Sequence, residues 1–409
     1  MSPTTTVLQG LSLCNFCQKR LGLKLGSKYE NKGECYICGQ IMTLVKPISE
    51  EIVAKLKDYE FETFLIGASV PHTVLNNEDE LRSRFKIKGR DSIKSQITKL
   101  LSQNVKRQTG KIVNYSKPDL TILASMADRL IDINVRSVWL SGRYVKLKRG
   151  LPQRSSECAT CSGLGCAECA YKGRTTDSVQ GRITDFLSGT FEAEGCNFVW
   201  LGSEDENSLV RGSGRPFYVE VVKPKRRFAL KEKFRRQIGT MKKKSIFFKS
   251  KEITILDLVQ LEHRVTHVPQ FEITARIYLY KKPSALSIER SQLNSLEQTF
   301  PNELVTVRLS RKFRTIQKEI RSISFKELED ENSIELTINC DGGIPLKKFI
   351  SGQDNIVRPN LGSYLSSYEI AREKPFDILN VKVKETFGIN STRFRAIHES
   401  ALNENECTD

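Results

Sequence analysis

Along the first 140 residues, apolar positions alternate between helical and strand spacing. Ser49 can cap a helix that carries Ile52, Val53, Leu56 and Tyr59 on one face. A strand is expected over 61–66, ending in Gly67, and residues 76–84 read as a polar stretch. Asp91 opens a second helix with Ile93, Ile97, Leu100 and Leu101 at helical spacing, and the runs 120–124 and 135–140 read as strands. These elements make a small α/β unit that closes near Gly142. From about residue 181 the spacing shortens to two. Runs at 198–201, 217–222, 253–256, 271–280, 304–309 and 333–339 read as strands, with few helices between them, such as 310–320. The expected class is α+β, multi-domain, with a large and mostly antiparallel sheet in the second part.

Composition narrows the partners. Of 409 residues, 39% are hydrophobic and 28% charged, which is a globular balance with room for two or three cores. Lys and Arg number 65 against 48 Asp and Glu, a formal charge of +17. Such an excess favours a polyanion, chiefly nucleic acid or an anionic membrane surface; a solvated basic surface is the alternative. Basic runs occur at 223–227, 231–236, 242–244 and 308–321, and Phe228, Phe234, Phe247 and Phe248 interleave with them. Cations of this kind neutralise phosphates while rings offer stacking faces. No run of about 18 apolar residues exists to span a bilayer. The first residues lack the basic and apolar regions of a secretory signal. A monomeric protein of the reducing cytoplasm is expected, and there spaced cysteine pairs mean metal more often than disulfide.

Cys14 and Cys17 pair with Cys35 and Cys38 at the spacing of a zinc ribbon. Two such turns close four thiolates around Zn²⁺ at about 2.3 Å, which leaves no open position and makes the site structural. Cys158, Cys161, Cys166 and Cys169 form a tighter cluster, in which Gly163 and Gly165 allow the chain to double back. A second structural zinc fits it, and so does a sulfur-ligated iron centre. Cys196, Cys340 and Cys407 stand outside both sets.

The segment 202–217 is a polar, glycine-flanked loop leaving the strand at 198–201, and it sets Glu204 and Asp205 beside Arg211 and Arg215. A loop of this composition at a strand end suits a catalytic site. It resembles the catalytic loop of the archaeal and eukaryotic tRNA pseudouridine synthase family ten, with the pattern G-R-E-D-x-D-x-R-x-x-G-x-G-R-P-F. Gly202, Glu204, Asp205, Gly212, Gly214, Arg215, Pro216 and Phe217 match it without gaps. Upstream, residues 142–153, GRYVKLKRGLPQ, are similar to the family's G-R-Y-x-K-L-x-R-G-x-P-Q, and the compact cysteine knuckle follows as in archaeal members. Residues 346–352 are similar to a third motif, and 307–311 faintly to a V-x-H-R-R run. The resemblance covers nearly the whole chain.

It implies three domains: a zinc ribbon at 1–46, a THUMP-related RNA-binding domain at 47–141, and a pseudouridine synthase-type catalytic domain at 142–409 with the cysteine knuckle inserted at 158–169. It implies an isomerase acting on the T-arm of tRNA, at uridines 54 and/or 55, with no redox or other catalytic cofactor. Asp205 would be the nucleophile that detaches uracil from ribose, Lys347 the cation that pairs with it, and Arg215 a brace or phosphate contact near Arg211. The target uridine would be flipped into a pocket. The sequence departs from the pattern at Ser203, Asn207 and Leu209, where the family has Arg, Asp and Arg. The tyrosine that stacks on the base aligns with Ile273, with Phe271 two residues before it, and the third motif's tyrosine aligns with Pro345. These changes leave a second reading open, a catalytically weak or inactive zinc protein that binds the tRNA arm.

Overall fold

The computed structural model describes residues 12–22, 34–88, 90–230, 246–262, 264, 269–281, 290–301, 303–309, 314–328, 332–352, 354, 356–365, 368–371 and 374–384. They fall into two compact units. One lies within 1–138, 190–195 and 222–232, the other within 139–189, 196–221 and 233–409.

In the first unit, helix α1 (Asn15–Leu21) follows Cys14 and α2 (Val45–Leu56) follows the second cysteine pair. Strand β1 (Thr63–Ser69) then leads through α3 (His72–Arg84) and α4 (Ile93–Thr109) to β2 (Ile112–Val113), β3 (Leu120–Ser125) and β4 (Ile131–Val135). The sheet order is β2-β1-β3-β4, with β1 parallel to β2 and β3. One hydrophobic core runs from Leu13, Cys17 and Ile37 through Ile52 and Ile97 to Ile122, so the cysteine segment and the α/β layer share it. Glu78 joins them as well. It is buried, receives Arg20 and Arg82, and accepts the Ile93 amide at the start of α4 at 2.8 Å.

Three local expectations are corrected here. Ser49 does not cap a helix: it lies inside α2, and its hydroxyl donates back to the Val45 carbonyl at 2.5 Å. Ser92, rather than Asp91, caps α4 by accepting the Ser95 amide at 3.2 Å. The polar stretch at 76–84 belongs to α3, whose apolar side is only Val74 and Leu81 with the paired Glu78 between them. A stripe that thin carries no periodic signal.

The run 135–140 divides. β4 ends at Val135 in the small sheet, and β5 (Val138–Lys146) enters the large one. The second unit continues with α5 (Val179–Phe191), β6 (Gly195–Trp200), β7 (Val210–Val222), β8 (Ile246–Lys249), β9 (Ile253–Leu261) and β10 (Gln270–Lys281). It ends with α6 (Arg290–Thr299), β11 (Glu303–Leu309), β12 (Arg314–Glu327), β13 (Ser333–Asp341), α7 (Leu346–Ser351), β14 (Val357–Arg358), α8 (Leu361–Tyr364), β15 (Tyr368–Ile370) and β16 (Phe376–Lys384). Among the described residues the large sheet runs β14-β11-β12-β13-β10-β16-β7-β5-β9-β8, with β15 on β10 and β6 on β7. The pairing is antiparallel through β11, β12, β13, β10 and β16, and β16 meets β7 in parallel at Ile378 and Val210. This is the expected α+β architecture with its large, mostly antiparallel sheet. The expected helix over 310–320 is overturned: β12 occupies 314–327, paired with β11 and β13. Ile316, Ile320 and Ile323 are spaced four and three apart, as on a helix face, and the strand carries that spacing through a register shift between Ile320 and Ser322.

No described helix is long and apolar enough to cross a membrane.

Candidate active site

The loop between β6 and β7 carries the acids, and a buried lysine holds it from below. In β5 the inward positions are Val138, Leu140, Gly142, Tyr144 and Lys146. Lys146, with a fully buried side chain, donates to the carbonyls of Leu151, Asp205 and Glu206 at 3.1, 2.8 and 3.2 Å. Its ammonium lies 3.1 Å from the equally buried Glu204 carboxylate. The Tyr144 hydroxyl donates to the other Glu204 oxygen at 2.8 Å and accepts from Gln153 at 3.0 Å. Burial, then the Glu204 charge, pushes the Tyr144 phenol well above its ordinary value. The GRYVKLKRGLPQ segment is therefore the frame of the loop.

Two glycines make the path of the loop feasible. At Gly212, with φ +62°, a Cβ would lie 2.1 Å from the Leu379 carbonyl oxygen. At Gly202, with φ +119°, it would lie 2.6 Å from Arg215 Nη2. Arg215 itself is buried beneath this turn. Its Nε and Nη1 are buried without a hydrogen-bond partner among the described residues, and Arg211 is exposed on the early part of β7.

Asp205 is 4% exposed. Its Oδ1 accepts the Asn207 amide at 2.8 Å, and its Oδ2 is ion-paired with Lys347. Lys347 rises from α7, and its side chain is 39% exposed. The two residues border a pocket of about 260 Å³ whose other walls include Glu206, Asn207, Ile350, Ile370, Pro375 and Phe376. The pocket offers a carboxylate–ammonium pair facing both polar and apolar side chains.

The other candidate positions lie elsewhere. Phe271 and Ile273 are buried on one face of β10, level with Cys340 and Ile338 of β13, and neither is among the pocket-lining residues. Pro345 precedes the first turn of α7. Ile350, Ile370, Pro375 and Phe376 escaped the sequence reading because the pocket assembles them from three segments without a shared pattern.

The basic run at 223–227 is partly paired within the protein. Lys223 pairs with Glu194 at 3.0 Å, Arg226 with Glu192 at 3.1 Å, and the buried Arg227 lies 3.6 Å from Asp119. Phe247 is buried, and Phe248 packs on Phe186 at 5.1 Å between centroids, so neither ring is a free stacking face. Arg321 is tied to Asp341 at 3.0 Å. The runs 231–236 and 242–244, Phe234, residues 310–313 and Cys407 lie outside the described residues.

Both cysteine sets converge, each with its four sulfurs within 4.8 Å of one another. Cys14 and Cys38 are 3.6 Å apart, Cys158 and Cys166 3.8 Å, Cys161 and Cys169 3.8 Å. Tetrahedral bonds of about 2.3 Å require sulfurs about 3.8 Å apart, so both sets fit a four-thiolate metal ion. In the second set the Cys166 amide holds the Cys169 thiol down to about 6 against burial, with help from the Gly173 amide. Cys196 and Cys340 are ordinary core thiols, each pushed up to about 12, chiefly by burial.

Residues 139–384 match the family model "Pus10, C-terminal", and residues 48–125 match "Pus10 THUMP domain, archaeal". The chain belongs to the Pus10 family. Three Pus10 relatives are similar over 97%, 82% and 79% of their length. The tRNA pseudouridine synthase Pus10 of Nitrosopumilus maritimus is 29% identical over 392 residues, 92% of this chain and 97% of that one. The tRNA pseudouridine synthase Pus10 of Cenarchaeum symbiosum is 30% identical over 353 residues, 86% and 82% of the two chains. That of Methanothrix thermoacetophila is 29% identical over 375 residues, 89% and 79%. The Pus10 C-terminal match takes in the loop, its β5 frame, α7 and the pocket, and the Pus10 THUMP match takes in the α/β layer of the first unit.

Proposed function

We propose that this enzyme, an isomerase, converts uridines 54 and/or 55 in the T-loop of tRNA to pseudouridine, with Asp205 as nucleophile. The observation that carries the reading is the buried Asp205 carboxylate, ion-paired with Lys347 at the edge of a pocket with both polar and apolar walls, in a Pus10-family chain. The carboxylate attacks at the sugar or the base and the N1–C1′ bond breaks with its electron pair on N1; C5 then bonds to C1′ as the carboxylate is released, C5 loses its proton and N1 gains one. Lys347 orients the carboxylate, and Arg215 braces the loop. The wall of Ile350, Ile370 and Phe376 covers the flipped base, the role that motif alignment gives to Ile273, Phe271 and Pro345. Arg211, exposed near the loop, is a contact for the RNA backbone. The parts are a ribbon at 1–46, a THUMP-related RNA-binding domain at 47–141 and a catalytic domain at 142–409, in a monomeric cytoplasmic protein.

The test is an unmodified tRNA transcript incubated with the purified protein and mapped for pseudouridine at each position. Conversion confined to the T-loop is expected. Tight binding with every uridine unchanged would favour the second reading, an inactive tRNA-arm-binding zinc protein, to which Ser203, Asn207 and Leu209 lend support.

Both Cys₄ sets hold structural zinc in this reading. Metal analysis is expected to find two zinc ions per chain, one for each set. Removing them with a thiol reagent and chelator should lower the melting temperature of the first unit most, because Cys17, Cys35 and Cys38 are part of its core. Iron and acid-labile sulfide at 158–169 would contradict the assignment for the second set.

A further inference from the structure

The loop that carries Asp205 has a second anchor, at the far end of the sequence. Asp377 stands in β16 next to Phe376 of the pocket wall, and it is buried. Its Oδ1 accepts the Leu209 amide at 2.9 Å. Its Oδ2 accepts from Arg149 at 2.7 Å and from the Tyr278 hydroxyl at 3.0 Å. The same Arg149 guanidinium donates through its other terminal nitrogen to the Asn207 carbonyl. The Asn207 amide, on the opposite side of that residue, is the donor to Asp205 Oδ1. The main chain continues the link, since the Ile378 amide donates to the Leu209 carbonyl at 2.9 Å.

We infer that Asp377 and Arg149 form a clamp that positions Asp205 against the pocket wall. They are positioning residues for the proposed reaction, and the inference rests on that reading. The geometry leaves the pair little other work. One carboxylate and one guanidinium between them hold the amide of residue 209 and the carbonyl of residue 207, on either side of Ser208. Arg149 follows β5 and Asp377 lies in β16, both outside the loop, so the Asn207 amide is presented to Asp205 by contacts from two other segments. Burial alone would raise the Asp377 pKa, yet Arg149 and the Leu209 amide more than offset it, and the carboxyl is held below its ordinary value. The clamp is therefore charged across the neutral range. Leu209 contributes only its backbone here, so the clamp works without the arginine that the family pattern has at that position. A misplacement of the nucleophile by about 1 Å can cost about a hundredfold in rate, whereas uniform substrate binding is untouched by it.

The test uses the full chain with Asp377→Asn and Arg149→Lys, singly and together. At saturating tRNA, the steady-state turnover rate of pseudouridine formation is expected to fall about 10- to 100-fold in each single variant. The tRNA concentration for half-saturation should change less than about twofold, and the double variant should be no slower than the worse single one, because the residues act as one unit. Hydrogen exchange at the amides of Asn207 and Leu209 should quicken in Asp377→Asn, and that readout does not depend on chemistry. Unchanged rates, or a rate loss that disappears when tRNA is raised, would overturn the clamp. If wild type makes no pseudouridine, the functional reading fails, and unaltered exchange at 207 and 209 would then sink the clamp separately.

Discussion

Replacing Lys146 by Met should lower the melting temperature of the second unit by about 10 °C and abolish turnover. The substitution nearly preserves volume, so packing is not the cause. It removes the cation from Glu204, whose side chain is as fully buried as that of Lys146, and strips donors from the carbonyls of Leu151, Asp205 and Glu206. Removing one partner of a buried pair costs about 3–5 kcal/mol because the other charge is left uncompensated. For a unit of this size each kcal/mol is worth about 2–4 °C. The companion variant Glu204→Gln in the Lys146→Met background should recover part of the loss, since no buried charge then remains. Thermal unfolding of the three proteins checks this. A Lys146→Met protein that melts with wild type would show that the loop is held by something other than this ion pair.

Lys146 also shows how far the sequence could be read. The alternation Val138, Leu140, Gly142, Tyr144 puts Lys146 on the inward parity of β5, and Arg215 shares parity with Phe217, Val219 and Val221 in β7. A cation on the inward face of a strand signals a buried partner, and the resemblance of 142–153 to a family motif did not say which. Pairing across the fold answered that. The cysteine spacings were legible because each ligand set is local, and Asp205 was legible because its glycine-rich flank is contiguous. Lys347 lies more than a hundred residues away, and its ion pair with Asp205 depends on α7 following β13 in the large sheet. Asp377 carries no motif at all: its role comes from the single parallel contact that sets β16 beside the loop strand. The helix expected at 310–320 failed for the converse reason, because isoleucines spaced four and three apart along an antiparallel strand mimic helical spacing when neighbours are unknown. In the basic run at 223–227 the acids that pair with Lys223, Arg226 and Arg227 were not legible, because Glu192, Glu194 and Asp119 are about 30 to 110 residues away in sequence.

Asp205→Asn is expected to reduce pseudouridine formation by at least about a thousandfold with little change in fold. The amide still accepts the Asn207 N–H, so the turn at 205–207 persists. The ion pair with Lys347 is lost, but that lysine is 39% exposed, and a pair open to solvent on one side contributes about 1 kcal/mol at most. What disappears is the negative oxygen that forms the bond to sugar or base. Binding of tRNA should be within about twofold of wild type, since the basic surface is unaltered and the pocket loses one charge at constant size.

The most direct measurement is the single-turnover rate of pseudouridine formation, mapped by position on an unmodified tRNA transcript, for wild type and Asp205→Asn at saturating protein. Conversion of uridine 54 and/or 55 by wild type, with none by a variant that binds the same tRNA, is the predicted result. A variant that keeps the wild-type rate, or a wild type that binds the tRNA and leaves both uridines unchanged, would contradict it.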